Sequence, residues 1–362
     1  MDERNYYLGF SLANNIGPIR FRNLLNYFGS ASSAWKGTNK ELREAGLGPK
    51  TIEGFLGFRE EFGFGDYLEK LRKTKSDFIA SFEKSYPNSL TKLPNPPIVL
   101  FVKGDKSCLD NEKNIGVVGA RKMTSYGENV TETLISDLVS SGFTIVSGMA
   151  LGVDATAHTF CLENKGKTIA VLGCGVDCPI PRENEWLYEQ ILDGGGLTVS
   201  ECPLGMKPLP GSFPARNRII AALSLGILVV EAGEDSGSLI TAEWAKKLGK
   251  PIFAVPGPIT SQQSKGAIKL LKEGGNFVQS AKDILDVLNI RETQTTKENQ
   301  ISKNLKLSKV EKTVFDLLQN ESMDVDEISK KLKLKIIKLN IILSDLEMRG
   351  ILKNQGGRFA IT

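Results

Sequence analysis

The chain reads as an α/β protein built on a doubly wound parallel sheet, with a helical segment before it and a winged helix after it. Three observations predict this. Between residues 76 and 290 short β-branched apolar runs alternate with amphipathic stretches, the pattern of parallel strands covered on both faces. Before residue 75 apolar residues recur at helical spacing behind Gly-Pro turns. After residue 308 three helical phrases lead into a hairpin phrase. At 362 residues, two or three domains are expected.

Residues 1–75 hold two similar phrases, NNIGPIRFRNLLNYFG and EAGLGPKTIEGFLGF. Each places a basic residue after Gly-Pro. The pattern resembles helix-hairpin-helix units, in which turn amides meet a DNA phosphate. The usual Gly-x-Gly turn is incomplete, which favours a plain bundle with glycine at helix ends. In residues 76–290 the strand candidates are NIGVVGA, FTIVSG, TIAVLG, LTVSE, LGILVVEA and PIFAVPG, with DFIASF and PIVLFVKG as edge strands. Helices are expected over Tyr126–Ser141 and Ile240–Leu248 between them. Residues 291–307 (RETQTTKENQISKNLKL) are polar, lack aromatics and read as a linker. In residues 308–362, Ser308 and Glu311 form a capping box for a first helix. Asp324–Leu332 and Lys335–Arg349 give two more, and Gly350 and a Gly356-Gly357 turn set off the hairpin.

Composition bounds the function classes. With 41% hydrophobic and 24% charged residues the chain is an ordinary globular one. No apolar run is long enough for a bilayer. The N-terminus, MDERNYYLGF, is acidic and mixed, so no signal peptide is expected and the cytoplasm is the expected location. A net charge of +4 permits a nucleic-acid partner without requiring one. The cysteines are Cys108, Cys161, Cys174, Cys178 and Cys202, with no CxxC pair, which reads as reduced thiols. With a single histidine in the chain, Cys174, Cys178 and Cys202 make no zinc site. No metal or cofactor is expected.

Ligands of a doubly wound sheet bind beyond the carboxyl ends of its strands. Those ends read Gly119-Ala120-Arg121-Lys122, Ser147-Gly148-Met149-Ala150, Gly173-Cys174-Gly175 and Glu231-Ala232-Gly233, the last leading to Ser236-Gly237-Ser238. Glycine lets the backbone approach a bulky ligand. Guanidinium groups and the free N–H groups of a strand-to-helix turn both suit phosphate, and Arg121, Lys122, Arg216 and Arg218 lie in or near these turns. A dinucleotide is not the expected ligand. GVVGARKMTSYG is not GxGxxG, and the second strand ends in Ser147-Gly148 without a carboxylate for a ribose. Catalysis is weakly supported. A Ser147/His158/Asp154 relay lies on one local segment without a nucleophile elbow, so Asp154 and His158 read as braces of a helix start. Glu231 could act as a base only in a nucleotide-cleaving relative.

Along nearly its whole length the chain resembles the DNA-processing protein A (DprA, or Smf) family. The matching phrases are YPNSLTKLPNPPIVLFVKG, VVGARKMTSYG, SGMALGVDATAH, TIAVLGCGVD, SECPLG, FPARNRIIAALS, SGSLITAEWA and FAVPGP. The resemblance implies a helical N-terminal domain, a Rossmann-like core and a C-terminal winged helix. It implies a non-enzymatic protein that binds single-stranded DNA, dimerises and helps load the RecA recombinase in natural transformation. Carried over residue by residue, the implied DNA pocket is Gly119, Arg121, Lys122, Ser147, Gly148, Gly173, Arg216, Asn217, Arg218, Ser236 and Ser238. Two positions depart from the family pattern. Gly266-Ala267-Ile268-Lys269-Leu270-Leu271 lacks the asparagine of the usual Gly-x-Asn-x-Leu-Ile phrase, and Leu151 stands where many relatives carry arginine. Phe213 and Tyr126 are candidates to stack on bases. Ile268, Leu270 and Leu271 are candidates for the dimer surface. The third C-terminal helix carries Lys335 and Lys338 with Asp345 and Glu347 among apolar residues, so protein contact and duplex contact both stay open. The alternative functions are a nucleotide-binding or nucleotide-cleaving enzyme and a transcription regulator.

Overall fold

A computed structural model describes residues 2–209, 211–290, 308–318, 322–332, 334–349, 351–355 and 357–361. The linker read over 291–307, Gly350 and Gly356 of the hairpin turn lie outside them. Residues 1–292 and 293–362 form two compact units.

The first unit begins with six helices: α1 (Glu3–Leu12), α2 (Pro18–Phe28), α3 (Ala31–Lys36), α4 (Asn39–Glu44), α5 (Pro49–Glu61) and α6 (Phe64–Lys73). The two Gly-Pro phrases are helix starts: Pro18 and Pro49 open α2 and α5, with Gly17 and Gly48 as N-caps. Proline is suited there because the first helical N–H has no partner anyway. Thr38 and Glu41 close a capping box on α4. Trp35 is the centre of the packing, with ring centroids 5.2 Å from Phe10, 5.3 Å from Phe55 and 5.1 Å from Phe64.

The rest of the unit is one nine-stranded sheet. The strands are β1 (Asp77–Ala80), β2 (Val99–Gly104), β3 (Asn114–Val118), β4 (Thr144–Ser147), β5 (Thr168–Val171), β6 (Leu197–Ser200), β7 (Ile227–Val229), β8 (Ile252–Ala254) and β9 (Asn276–Phe277). Their order is β1-β2-β6-β5-β4-β3-β7-β8-β9. From β6 to β9 all neighbours are parallel; β2 is antiparallel to both β6 and β1. The helices between strands include α7 (Asn88–Thr91), α8 (Ser125–Ser140), α9 (Val153–Glu163), α10 (Glu185–Asp193), α11 (Ser212–Leu223), α12 (Gly237–Lys247), α13 (Lys265–Lys272) and α14 (Ala281–Val287).

Residue alternation assigns the faces. On β7, Ile227 and Val229 join the core with Ile219, Ala222 and Ala242 of α11 and α12, while Leu228 packs with Ile135 and Ala157 of α8 and α9. On β2, Leu100 and Val102 belong to the first of these cores, but Val99 and Phe101 pack with the N-terminal helices. Alternate side chains of a strand point to opposite faces, so the helical segment seals one face of the β1–β2 edge. The apolar stripe of α13 is used internally: Leu270 is buried and Leu271 packs on the same core. Those two residues are therefore not the free surface expected of a dimer contact, because an amphipathic helix has spent them on its own sheet.

The second unit holds α15 (Lys309–Leu318), β10 (Met323–Asp324), α16 (Val325–Leu332), α17 (Ile336–Met348), β11 (Leu352–Gln355) and β12 (Arg358–Ile361). The three strands pair in the order β10-β12-β11, making the winged helix. Ser308 N–H donates to Glu311 at 2.5 Å, as the capping box requires. Ile328, Leu339, Leu343 and Phe359 meet in its core, and α17 leaves Ile336 and Ile341 exposed. No helix among the described residues is long and apolar enough to cross a membrane.

Arg4 ties the first helix to the sheet. Its guanidinium pairs with Asp77 and Glu83, each at 2.8 Å, donates to the Phe78 carbonyl and lies 4.1 Å from the Phe78 ring centroid. Arg4→Met keeps the apolar stem and removes all four contacts. It is expected to lower unfolding stability by about 1–2 kcal/mol, read as a lower urea midpoint with an unchanged slope.

Candidate functional site

The strand order reverses between β3 and β7, because the chain winds outward one way through β4, β5 and β6 and the other way through β8 and β9. Two crossovers diverge at such a point and leave a crevice beyond the strand ends. A cleft of about 890 Å³ lies there. Asp154, Phe213 and Gly237, all in its wall, belong to the first turns of α9, α11 and α12. Three helix N-termini thus converge on one space, each with a positive dipole end.

Arg216 lies beneath this space, 5% exposed. Its Nη1 donates to the Gly148 carbonyl at 2.6 Å and also to the Val171 carbonyl, so one guanidinium joins the ends of β4 and β5. Its Nε donates to Asn217 Oδ1 at 3.2 Å, and Asn217 Nδ2 reaches the Gly237 carbonyl at 3.1 Å, linking α11 to α12. Asp154 is the buried counter-charge: it accepts from the N–H groups of Gly148 at 3.2 Å and Ala150 at 3.4 Å. Burial pushes the Asp154 carboxyl up, and Arg216 and these amides oppose the rise. The loop between them is tightly specified. A Cβ on Gly148 would strike the Arg216 guanidinium, and one on Gly152, at φ 77°, would strike the Ala120 carbonyl.

Above this floor, Arg121 and Lys122 are exposed and line the cleft, with no carboxylate paired to either among the described residues. The Arg121 guanidinium lies 5.9 Å from the Phe213 ring centroid. Cations held over a donor-lined floor leave an anion as the complementary ligand.

Of the residues singled out from sequence, Gly119, Arg121, Lys122, Arg216, Asn217, Ser236 and Ser238 meet in the wall. Four do not. Ser147 is fully buried and donates to the Val117 carbonyl at 2.6 Å, a bond between neighbouring strands. Gly148 is roofed by Arg216. Gly173 lies against Ser212 and Phe213 at the start of α11. Arg218, expected as a phosphate ligand, pairs instead with Glu201 at 2.5 Å. It sits two residues from Arg216, and the helical turn sends the two side chains to different sides of α11. Phe213 lines the cleft; Tyr126 does not, and its hydroxyl donates to the Pro256 carbonyl at 2.6 Å. Sequence reasoning missed Thr241, Gln262 and Gln263, which also line the cleft. They are uncharged and carry no motif; only the position of Thr241 one turn after Ser236-Gly237-Ser238 could have marked it.

The groups considered for catalysis are committed elsewhere. Glu231 accepts from the Thr124 N–H at 2.8 Å and the Thr124 hydroxyl at 2.7 Å, which fixes the start of α8. Ser147, Asp154 and His158 form no relay, since the Ser147 hydroxyl donates to the Val117 carbonyl and His158 bonds Thr168, not either of the other two. All five cysteines are unpaired thiols. Among the described residues no cluster of three or more His, Cys, Asp or Glu is placed to hold a metal ion.

Fold and cleft together define a Rossmann-type protein with a cleft bearing Arg121 and Lys122 at its switch point, and a winged helix after it. Residues 77–289 match the family model for DNA recombination-mediator protein A, and residues 302–358 match the DprA winged helix domain. The chain belongs to this DprA/Smf family. It is 39% identical to Protein Smf of Synechocystis over 287 residues, 78% of this chain and 72% of the relative. It is 41% identical to DNA processing protein DprA of Bacillus subtilis over 229 residues, 63% of this chain and 77% of the relative. The X-ray structure of DNA processing protein A from Streptococcus pneumoniae superposes with a TM-score of 0.70 at 32% identity, covering 79% of this chain and 98% of that one. DNA processing protein A from Helicobacter pylori, whose structure was described for a unique single-stranded DNA binding mode, gives 0.54 at 31% identity, covering 59% and 96%.

His158 extends the buried floor and makes it acid-sensitive. It is fully buried, and its Nδ1 lies 2.6 Å from Thr168 Oγ1. That hydroxyl spends its own proton on the Ile145 carbonyl at 2.8 Å, so Nδ1 is the donor and Nε2 is bare, with no partner. Burial, reinforced by the Arg216 charge, pulls the imidazole down to about 3. The unfolded chain takes up this proton near pH 6.5 and the folded one does not. Stability is therefore complete above about pH 6.5 and falls toward pH 3. His158 is the chain's single histidine, so urea melts between about pH 6.5 and 5 are expected to lose stability at up to about 1.4 kcal/mol per pH unit. His158→Met removes the titrating group and is expected to flatten that dependence.

Proposed function

We propose that the chain binds single-stranded DNA in the switch-point cleft, protects incoming strands and helps load RecA recombinase during natural transformation, working in the cytoplasm as a homodimer. Its chemistry is binding and not bond-breaking. The observation that carries the reading is the pairing of unneutralised Arg121 and Lys122 with three helix N-termini around one open cleft. Donors of this kind address the sugar-phosphate backbone, which every sequence shares. Phe213 beside Arg121 supplies a ring on which a base can stack. The relatives named DNA processing protein, and the Helicobacter structure above all, support the same ligand. On this reading residues 1–75 buttress a DNA-binding core of residues 76–290, and a linker over 291–307 carries the winged helix of residues 308–362.

The direct ligands are Arg121 and Lys122; Arg216, being bonded to two carbonyls, acts through the floor. Arg121→Ala is expected to weaken oligothymidylate binding at low salt and to flatten the dependence of log affinity on log salt by about 0.7. Arg121→Ala/Lys122→Ala should flatten it by about twice that. An unchanged affinity and slope in the folded double variant would overturn the assignment. Turnover of nucleoside monophosphates by the wild-type chain would replace it with the enzymatic alternative.

A further inference from the structure

Helix α10 presents an unpartnered indole. Trp186 is 51% exposed, on the side of the helix away from Leu187, Tyr188 and Ile191, which are buried with Ala170 of β5. Its ring makes no hydrogen bond, ring contact or cation contact among the described residues. A tryptophan can bury about 150–250 Å² of surface, and this one leaves half of its own in water. Its position ties it to the cleft. Helix α9 follows β4 and α10 follows β5, so both start at the carboxyl rim of the sheet, where the cleft lies. The buried Asn184 amide, at the cap of α10, donates to the Met149 carbonyl at 2.8 Å. The next residue, Ala150, lines the cleft, and Leu151 beyond it is 40% exposed. Ala155 of α9 and Leu187 of α10 share one core, so the two helices stand about 8–10 Å apart, as packed helices do.

The geometry points to Trp186 as a stacking platform for one base of a strand that leaves the cleft past Ala150 and Leu151. The inference rests on the single-strand reading and extends the path of the strand along the rim. The charges decide which part of the strand meets the ring. Glu183, Glu185 and Glu189 are exposed around the indole, with Arg182 as the cation among them. Carboxylates repel a phosphate, so this end of α10 is not built for the backbone. A base is neutral and stacks its π-face on an aromatic ring whatever its identity. The contact at Trp186 is therefore apolar, while the contacts at Arg121 and Lys122 are ionic.

The test titrates the full chain with labelled (dT)20 at low salt and reads strand anisotropy and tryptophan emission. The strand is expected to quench the wild-type emission. Trp186→Phe should lose most of that quenching and keep its affinity within about threefold, since a phenyl ring still stacks. The other two tryptophans, Trp35 and Trp244, are buried or half-buried and report little. Trp186→Gln is expected to weaken (dT)20 about tenfold. It should leave the slope of log affinity against log salt unchanged, because stacking releases no counterion. Both variants should melt with wild type, the indole lying outside the core. Equal (dT)20 affinity in wild type and folded Trp186→Gln, or quenching that survives Trp186→Phe, would overturn the platform. If Arg121→Ala/Lys122→Ala still weakens the strand in that case, the single-strand reading stands without it. If Trp186→Gln weakens the strand and Arg121→Ala/Lys122→Ala does not, the platform stands and the cleft assignment falls. Binding of oligolysine that Trp186→Gln abolishes, with (dT)20 unaffected, would overturn the platform and give this face to a basic protein segment.

Discussion

The cleft depends on one buried cation. A guanidinium taken out of water is costly unless its donors are satisfied, and Arg216 satisfies them with carbonyls from two strands. Gly148 directly follows β4 and Val171 ends β5, so a single side chain sets the height of α11 over both. Asn217, its neighbour, passes that placement on to α12 through the Gly237 carbonyl. Asp154 completes the set from α9. Three helices whose first turns surround the cleft are thereby referred to one group. Asp154 offsets its charge within the floor, so the field at the surface is that of Arg121 and Lys122. A buried arginine here is the keystone of the packing.

The N-terminal helices enter the same logic from the side. Leu204 lies on the loop from β6 to α11. Its N–H donates to the Tyr67 hydroxyl at 2.9 Å, and its carbonyl accepts from Lys70 at 3.0 Å. The next residue, Gly205, donates to Asp177 at 2.8 Å. Burial pushes the Tyr67 phenol up to about 12, so it stays a neutral partner across ordinary pH. Helix α6 thus grips the segment that delivers Phe213 and Arg216. The helical segment is an abutment for the cleft as well as a cover for the sheet edge.

What could be read from sequence follows from which signals are local. Strands β3 to β8 were legible because each is a short β-branched or apolar run, most with glycine close behind, and the α8 and α12 periods agreed to within one turn. Strand β9 was not: Asn276-Phe277 is two residues long and has no period to detect. The cations were legible by type but not by role. Arg216 and Arg218 flank one asparagine in an apolar helix and look alike on paper. Their fates diverge because the helix turns them about 200° apart, one under the cleft and the other toward Glu201. Ser147 was misjudged for a related reason. A hydroxyl at a strand end can face the ligand or the neighbouring strand, and only the register with Val117 decides.

The acids and donors of the site also explain why holding a ligand suits it better than cleaving one. A general base needs a free lone pair aimed at the proton it removes. Glu231 has both oxygens engaged by Thr124, and Asp154 is occupied by two amides beside Arg216. The wall instead offers three helix N-termini and two exposed cations. Fixed donors on helix ends bind with little ordering cost, while Arg121 and Lys122 can follow an uneven backbone. On the proposed function, fixed helix ends below and exposed charges above suit a ligand of repeated phosphates whose bases vary.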